Sequence, residues 1–327
     1  MAEFWVSVVL VAITMYVLLD GFDLGVGILF AAVHDEPRRR KMLDAISPVW
    51  DGNETWLVMT GAVLFGAFPV VYSVVLSAFY LPICIMLASL IMRGVAFEFR
   101  QHAVHLKGLW DGGFVAGSVL ATFIQGCAIG ALAQGLPVQD GQYVGTTFGW
   151  LTPFSVLCGL GLTSGYAALG AAWLIHKCEG DVQTFAKRVF PMLMVCTFIA
   201  LCLVFSFAVA EDEPVLHRWS SLSWRYVFPA IALVATGCLL FIKRRHLDVR
   251  PLLLTMVVFL CGIGALVASF WPWMVPFSIS IASAQSPSLS LSFMFWGIGV
   301  FAFPLTLGYT LVNYLVFRGK SRVASEY

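Results

Sequence analysis

Residues 4–30 read FWVSVVLVAITMYVLLDGFDLGVGILF, a mostly apolar run that decides the class of fold. A helix of about 20 apolar residues crosses the hydrocarbon core of a bilayer, so this run predicts a transmembrane helix. Hydrophobic residues make up 60% of the 327 residues, and charged residues only 11%. A soluble domain is about 25% charged, so we expect lipid to surround most of this chain. The net charge of +1 also argues against nucleic-acid binding.

Nine such runs follow one another along the chain. They predict an all-α polytopic membrane protein with nine transmembrane helices in a single domain over residues 1–327. A tight turn at residues 71–73 separates the second run from the third, and eight spans is the alternative if that turn is absent. The runs are 4–30, 55–72, 74–96, 112–133, 152–175, 189–210, 226–242, 252–271 and 293–317.

The basic residues predict the orientation, because cytoplasmic loops carry an excess of Lys and Arg. With alternating spans, 17 of the 19 basic residues fall on one side, and only Arg218 and Arg225 on the other. We therefore expect the N-terminus outside and the C-terminus in the cytoplasm. The 17 residues are Arg38, Arg39, Arg40, Lys41, Arg93, Arg100, Lys107, Lys177, Lys187, Arg188, Lys243, Arg244, Arg245, Arg250, Arg318, Lys320 and Arg322.

Two carboxylates interrupt the first run. Asp20 and Asp23 are three residues apart, so they share one face of the helix. A charged residue costs about 2.5–3.5 kcal/mol at the centre of a transmembrane helix, and therefore predicts a functional site. The alternative is that both aspartates reach interfacial water, while Gly21 and Gly25 serve only close helix packing.

Two further polar clusters lie near span ends. PVWDGNETW at 48–56 carries Asp51 and Glu54, whose spacing is also that of a capping box. Arg93 lies near the end of the third run, where its side chain can alternatively snorkel to the interface. By orientation all these clusters lie on the cytoplasmic side, so they predict a site of proton uptake. Its candidate residues are Asp20, Asp23, Asp51, Glu54 and Arg93.

Histidine and cysteine positions argue against a cofactor bound by this chain. All six histidines fall in loops or near span ends, and the eight cysteines form no CxxC pair. We expect no haem or metal to be ligated here. The histidines are His34, His102, His105, His176, His217 and His246.

DGFDLGVG at 20–27, PVWDGNETWLV at 48–58 and MRGVAFEFR at 92–100 together resemble subunit II of the cytochrome bd-type quinol oxidases. The resemblance covers essentially the whole chain. The glutamate at position 54 makes the chain more similar to the cyanide-insensitive branch of this family. It implies two four-helix bundles plus one peripheral helix. It also implies a proton path over Asp51 and Arg93, with Asp23 nearby.

The same resemblance implies a heterodimer in a bacterial inner membrane that oxidises quinol and reduces oxygen to water. Its partner, subunit I, would carry haem b, haem d and the quinol site, and this chain would stabilise that partner. The resemblance leaves room for a small accessory membrane subunit and for a quinone bound to this chain.

Two other functions fit the residues. In a secondary transporter, Asp20, Asp23 and Asp51 would be coupling sites, although such sites usually lie near the membrane midplane. A purely structural membrane subunit would use its glycines for packing alone. Pairs of small residues four apart predict close contacts, within the bundle or with a partner, at Gly113/Gly117, Gly126/Gly130 and Gly161/Gly165.

Overall fold

The structure is a computed structural model that describes residues 1–103, 105–211, 217, 219–220, 223–241 and 248–320. Its long elements are all helical, which confirms the predicted class. They are α1 (Ala2–Phe30), α2 (Glu36–Asp44), α3 (Trp50–Ala67), α4 (Pro69–Ala78), α5 (Tyr80–His102), α6 (Lys107–Ala133), α7 (Pro153–Lys177), α8 (Asp181–Glu211), α9 (Val227–Phe241) and α10 (Arg250–Phe270).

After α10 the chain forms a short segment with little helix and then a final long helix. The C-terminal helix comprises Ser288–Met294, a π-helical stretch Phe295–Ala302, and Phe303–Val316. A one-turn helix, α11 (Ile281–Ala284), precedes it. Two small antiparallel hairpins complete the described residues: β1 (Val138–Gln139) with β2 (Gln142–Tyr143), and β3 (Trp273–Val275) with β4 (Ile279–Ser280).

In the part of the chain that the structure describes, seven helices are long and apolar enough to cross a membrane. They correspond to seven of the nine predicted runs. The other two runs correspond to α3, whose first turns are polar, and to α9, which is 15 residues long. The count of nine spans therefore stays a prediction.

The predicted turn at residues 71–73 is wrong. Those residues lie inside α4, which connects α3 to α5. The helical path breaks first at Phe68, because a residue before proline is disfavoured in the α-helical region and Pro69 has no N–H to continue α3. It breaks again at Phe79, so α5 begins at Tyr80 instead of residue 74.

Contacts between distant segments identify the two ends of the bundle. At one end, the Trp5 indole donates to the Leu291 carbonyl at 3.3 Å, and the Ser286 hydroxyl donates to the Gly66 carbonyl at 2.8 Å. The N-terminus, the end of α3 and the start of the C-terminal helix with the residues just before it therefore lie together.

The loops rich in Lys and Arg gather at the opposite end, called here the basic end. Lys177 donates to the Phe317 carbonyl, and Lys320 pairs with Asp248 at 3.1 Å. The ends of α7 and the C-terminal helix thus lie beside the start of α10. Six residues used in the sequence predictions lie outside the described residues: Arg218, Lys243, Arg244, Arg245, His246 and Arg322.

The predicted orientation can be tested with reporter tags, since it assigns each tagged position to one side of the membrane. Because the basic end should face the cytoplasm, tags in its loops should report as cytoplasmic and tags at the other end as external. Phosphatase and fluorescent-protein fusions measure this, and two or more reversals would contradict the predicted spans. Cytoplasmic positions are 34–48, 101–110, 177–188 and the C-terminus; external positions are 135–150 and 211–225.

Glycines bring the helices of this chain into backbone contact. A Cβ on Gly25 of α1 would overlap the Tyr166 carbonyl and the Gly170 amide of α7. A Cβ on Gly117 of α6 would come 3.1 Å from the Arg93 amide of α5. The predicted small-residue contacts therefore include close packing within the chain itself. Gly126, Gly130, Gly161 and Gly165 likewise face neighbouring helices of the same chain.

Candidate functional site

A buried ion pair joins α1 to α5. Arg93 Nη1 donates to Asp20 Oδ1 at 3.0 Å, and the two side chains are 2% and 0% exposed. The close approach of α6 at Gly117 encloses the arginine. Arg93 therefore does not snorkel to the interface, and the two charges offset part of each other's desolvation cost.

Asp23 lies beside this pair and is held by α3. It is 0% exposed, and Asn53 Nδ2 donates to its Oδ2 at 2.7 Å. The Tyr314 hydroxyl of the C-terminal helix donates to Asn53 Oδ1 at 2.9 Å. Because that bond occupies the amide oxygen, the Asn53 amino group is directed toward the carboxylate. Three helices thus fix the position of Asp23.

Three polar atoms of this cluster have no hydrogen-bond partner among the described residues. They are Asp20 Oδ2, Asp23 Oδ1 and Arg93 Nη2, and all three are buried. Buried polar atoms are almost always satisfied by protein or by ordered water. The arrangement is therefore suited to hydrogen bonding with internal water between the two carboxylates and the guanidinium.

Glu54 lies between this buried cluster and the surface. Its side chain is half-buried, and it is close enough to Asp20, Arg93 and Asp51 to interact with their charges. Asp51 itself is exposed. The structure thus brings Asp20, Asp23, Arg93 and Glu54 into one electrostatic cluster, with Asp51 at its outer edge.

The predicted capping box at Asp51 and Glu54 is wrong. The α3 helix begins at Trp50, and its N-cap is Val49, which makes no side-chain capping bond. Asp51 therefore lies inside the first turn, where its side chain is not placed to accept from the amide three residues on. An acid in the first turn still interacts favourably with the helix dipole.

Four further polar residues extend this cluster, and no role was predicted for them from the sequence: Asn53, Tyr314, Gln125 and Tyr16. Asn53 and Tyr314 hold Asp23, and deeper in the bundle Gln125 Nε2 donates to the Tyr16 hydroxyl at 2.7 Å. Tyr16 lies one turn from Asp20 on the same face of α1. The sequence could have indicated Asn53 and Gln125, because amide side chains are rare in apolar helices and need a hydrogen-bond partner when buried.

A second ionic cluster at the basic end clamps α2, α5 and α6 together. Asp111 of α6 accepts from Arg39 of α2 at 2.5 Å and from Arg100 of α5. Arg100 also binds Glu36 at 2.7 Å. Partial burial works against ionisation of Glu36, but hydrogen bonds from Arg100 and Lys107 hold the pKa of Glu36 below its ordinary value.

The chain matches a family model from residue 1 to residue 317, and the model describes subunit II of the cytochrome bd terminal oxidases. The chain belongs to this family. A solved chain of the bd oxidase from Geobacillus thermodenitrificans has the same fold, with a TM-score of 0.76 over 97% of both chains and 16% identity.

Curated relatives of this family agree over a shorter region. A probable cytochrome oxidase subunit 2 from Haemophilus influenzae is 34% identical over 64% of this chain and 57% of its own. The cytochrome bd-I ubiquinol oxidase subunit 2 from Escherichia coli K12 is 32% identical over 61% and 55%. The Bacillus subtilis cytochrome bd ubiquinol oxidase subunit 2 is 33% identical over 61% and 60%. The aligned region thus spans somewhat more than half of these relatives.

Membership of the cytochrome bd family raises the question of haem, but the histidines that the structure describes are not placed to be axial haem ligands. An axial haem ligand must face an enclosed pocket. His34, His102, His105 and His217 are exposed, and His176 packs near the Trp173 ring. Within the described ranges no three His, Cys, Asp or Glu residues form a metal-binding group.

Proposed function

We propose that this chain is subunit II of a membrane quinol:oxygen oxidoreductase, whose subunit I carries haem b and haem d. Family membership and the names of the curated relatives support this proposal. The chain's own part would be to stabilise subunit I and to conduct protons from the cytoplasm, where the reduction of oxygen to water consumes them. Catalysis then belongs to the complex and not to this chain alone.

The observation that carries the proton role is the burial gradient of four acids. Asp51 is exposed, Glu54 is half-buried, and Asp20 and Asp23 are fully buried. A buried carboxylate is costly in a membrane and is kept where it serves a relay. We infer that protons enter at Asp51, pass Glu54 and reach the Asp20 and Asp23 carboxylates.

Arg93 has an electrostatic part in this path. A guanidinium stays protonated in proteins, so Arg93 supplies a fixed positive charge beside carboxylates that gain and lose protons. Its bond to Asp20 Oδ1 leaves Oδ2 of that carboxylate without a hydrogen-bond partner among the described residues. The free oxygen is the atom that can accept a proton from a neighbouring water.

The proposed membrane arrangement has nine spans, an external N-terminus and two four-helix bundles plus one peripheral helix. The α3 helix has 18 residues and is therefore about 27 Å long, close to the hydrocarbon thickness of about 30 Å. It pairs with α1 through the bond from Asn53 to Asp23. We therefore count α3 as a span, and α9 as the remaining one, in a bacterial inner membrane.

Purification with and without its partner tests this function. Expressed alone, the chain should show no haem absorbance, and the pair should show haem bands together with quinol-dependent oxygen uptake. Visible spectra of both samples make the measurement. Stoichiometric haem in the isolated chain would contradict the proposal, and a purified assembly without any haem-bearing partner would favour the transporter alternative.

A further inference from the structure

We propose that a cavity on the outer face of α6 binds one anionic phospholipid, with the lipid phosphate at Arg39 and an acyl chain along the helix. The cavity is an open groove at the protein surface, with a volume of about 670 Å³, and it lies between Arg39 of α2 and residues 108–120 of α6. The inference is independent of the proton path.

The cavity has one polar end and one apolar end. Arg39 and Asp111 lie at the basic end, and Gly112, Ala116 and Leu120 continue along α6 away from it. From Gly108 to Leu120 the helix rises by about 18 Å. The hydrocarbon of one leaflet is about 15 Å thick, half of the bilayer core. The length therefore suits one acyl chain that starts at the headgroup level.

The Arg39 guanidinium is fixed in place before any ligand arrives. Its Nε donates to the Val33 carbonyl at 2.6 Å, its Nη1 binds Asp111 at 2.5 Å, and its Cζ atom lies 4.9 Å from the centre of the Phe30 ring. These contacts do not use Nη2, and the side chain is 17% exposed. A planar, pre-oriented guanidinium is well suited to a phosphate group.

The surrounding charges favour an anionic headgroup. Asp111 is the acid in the cavity, and its carboxylate is already shared by Arg39 and Arg100. Lys107 lies at the start of α6, beside the cavity, and is 45% exposed. The three cations outnumber Asp111 and Glu36, so the cavity mouth is positive, as expected for binding to anionic lipid.

Two glycines in the cavity wall can be replaced by larger residues without a clash, so that the new side chain fills the cavity. A Cβ on Gly108 or Gly112 would meet nothing within 4 Å. A larger side chain at Gly112 would therefore project into the cavity and exclude an acyl chain. Gly262 of α10 is equally open on a different helix and provides a matched control.

The test uses the purified complex in vesicles of phosphatidylcholine with a minor share of phosphatidylglycerol. After extraction into detergent, mass spectrometry counts the phosphatidylglycerol retained per complex. The wild type and the controls Gly262→Leu and Arg40→Gln should retain it. Gly112→Leu and Arg39→Gln should each lose at least about tenfold in retention, or about 1.4 kcal/mol of binding.

Two results would overturn the proposal. One is equal phosphatidylglycerol retention by Gly112→Leu and Gly262→Leu, which would show that the cavity holds no lipid. The other is equal retention of phosphatidylcholine in the wild type, which would show that the headgroup charge does not matter. Gly112→Leu decides the question even if Arg39→Gln fails to assemble because Asp111 loses a partner.

Discussion

Replacing Arg93 with methionine should lower the free energy of unfolding of the complex by about 3–5 kcal/mol. The guanidinium is 2% exposed and bonded to Asp20 at 3.0 Å, so its removal leaves a buried carboxylate without its cation. Methionine is unbranched and fills irregular space, which keeps the packing loss small. The midpoint of denaturant-induced unfolding in detergent measures the change.

A double mutant separates charge from packing. Asn has nearly the shape of Asp and no charge, so adding Asp20→Asn to Arg93→Met should restore much of the lost stability. The exposed control Arg40→Met should change stability by less than about 0.5 kcal/mol. A loss below about 1 kcal/mol in Arg93→Met would show that the pair is effectively solvent-exposed and not buried.

The sequence predicts the helices well where apolar runs are long. A run such as 4–30 leaves only a helix as the spanning structure, because every backbone group needs a partner in lipid. The connection between α3 and α5 is mispredicted, because composition does not reveal that Pro69 starts a separate short helix. The start of α3 at Trp50 is hidden for a similar reason, since its first turns are polar.

The acids and the arginine could be predicted as functional because charge in an apolar run is costly. The pairing of Arg93 with Asp20 could not, since it depends on how closely α6 approaches α5 at Gly117. The bond from Tyr314 to Asn53 joins residues 261 positions apart. Only the packing of the C-terminal helix against α3 brings these two residues together.

Neutralising Glu54 should slow oxygen reduction by at least about tenfold. Glu54→Gln keeps the size and polarity of this half-buried side chain but removes its ability to carry a proton. The buried Asp20–Arg93 pair remains intact, so the complex should still assemble with its haems and accept electrons from quinol. Slow proton delivery alone would then limit turnover.

Asp51→Asn tests the exposed acid at the proposed entrance of the proton path. Asp51 makes no side-chain capping bond to α3, so its replacement should cost little stability. If Asp51 admits protons, Asp51→Asn should also lower turnover, and Asp51→Glu should retain more activity because it still titrates. Glu98→Gln is the matched control, since Glu98 is an exposed acid near the basic end of α5.

Oxygen uptake per haem at saturating quinol, compared between Glu54→Gln and Glu98→Gln complexes, tests the proton path most directly. Dividing by haem removes any effect of assembly, so only turnover is compared. We expect turnover to drop by at least about tenfold in Glu54→Gln and to stay at the wild-type value in Glu98→Gln. Equal, wild-type turnover per haem in both variants would contradict proton conduction through this cluster.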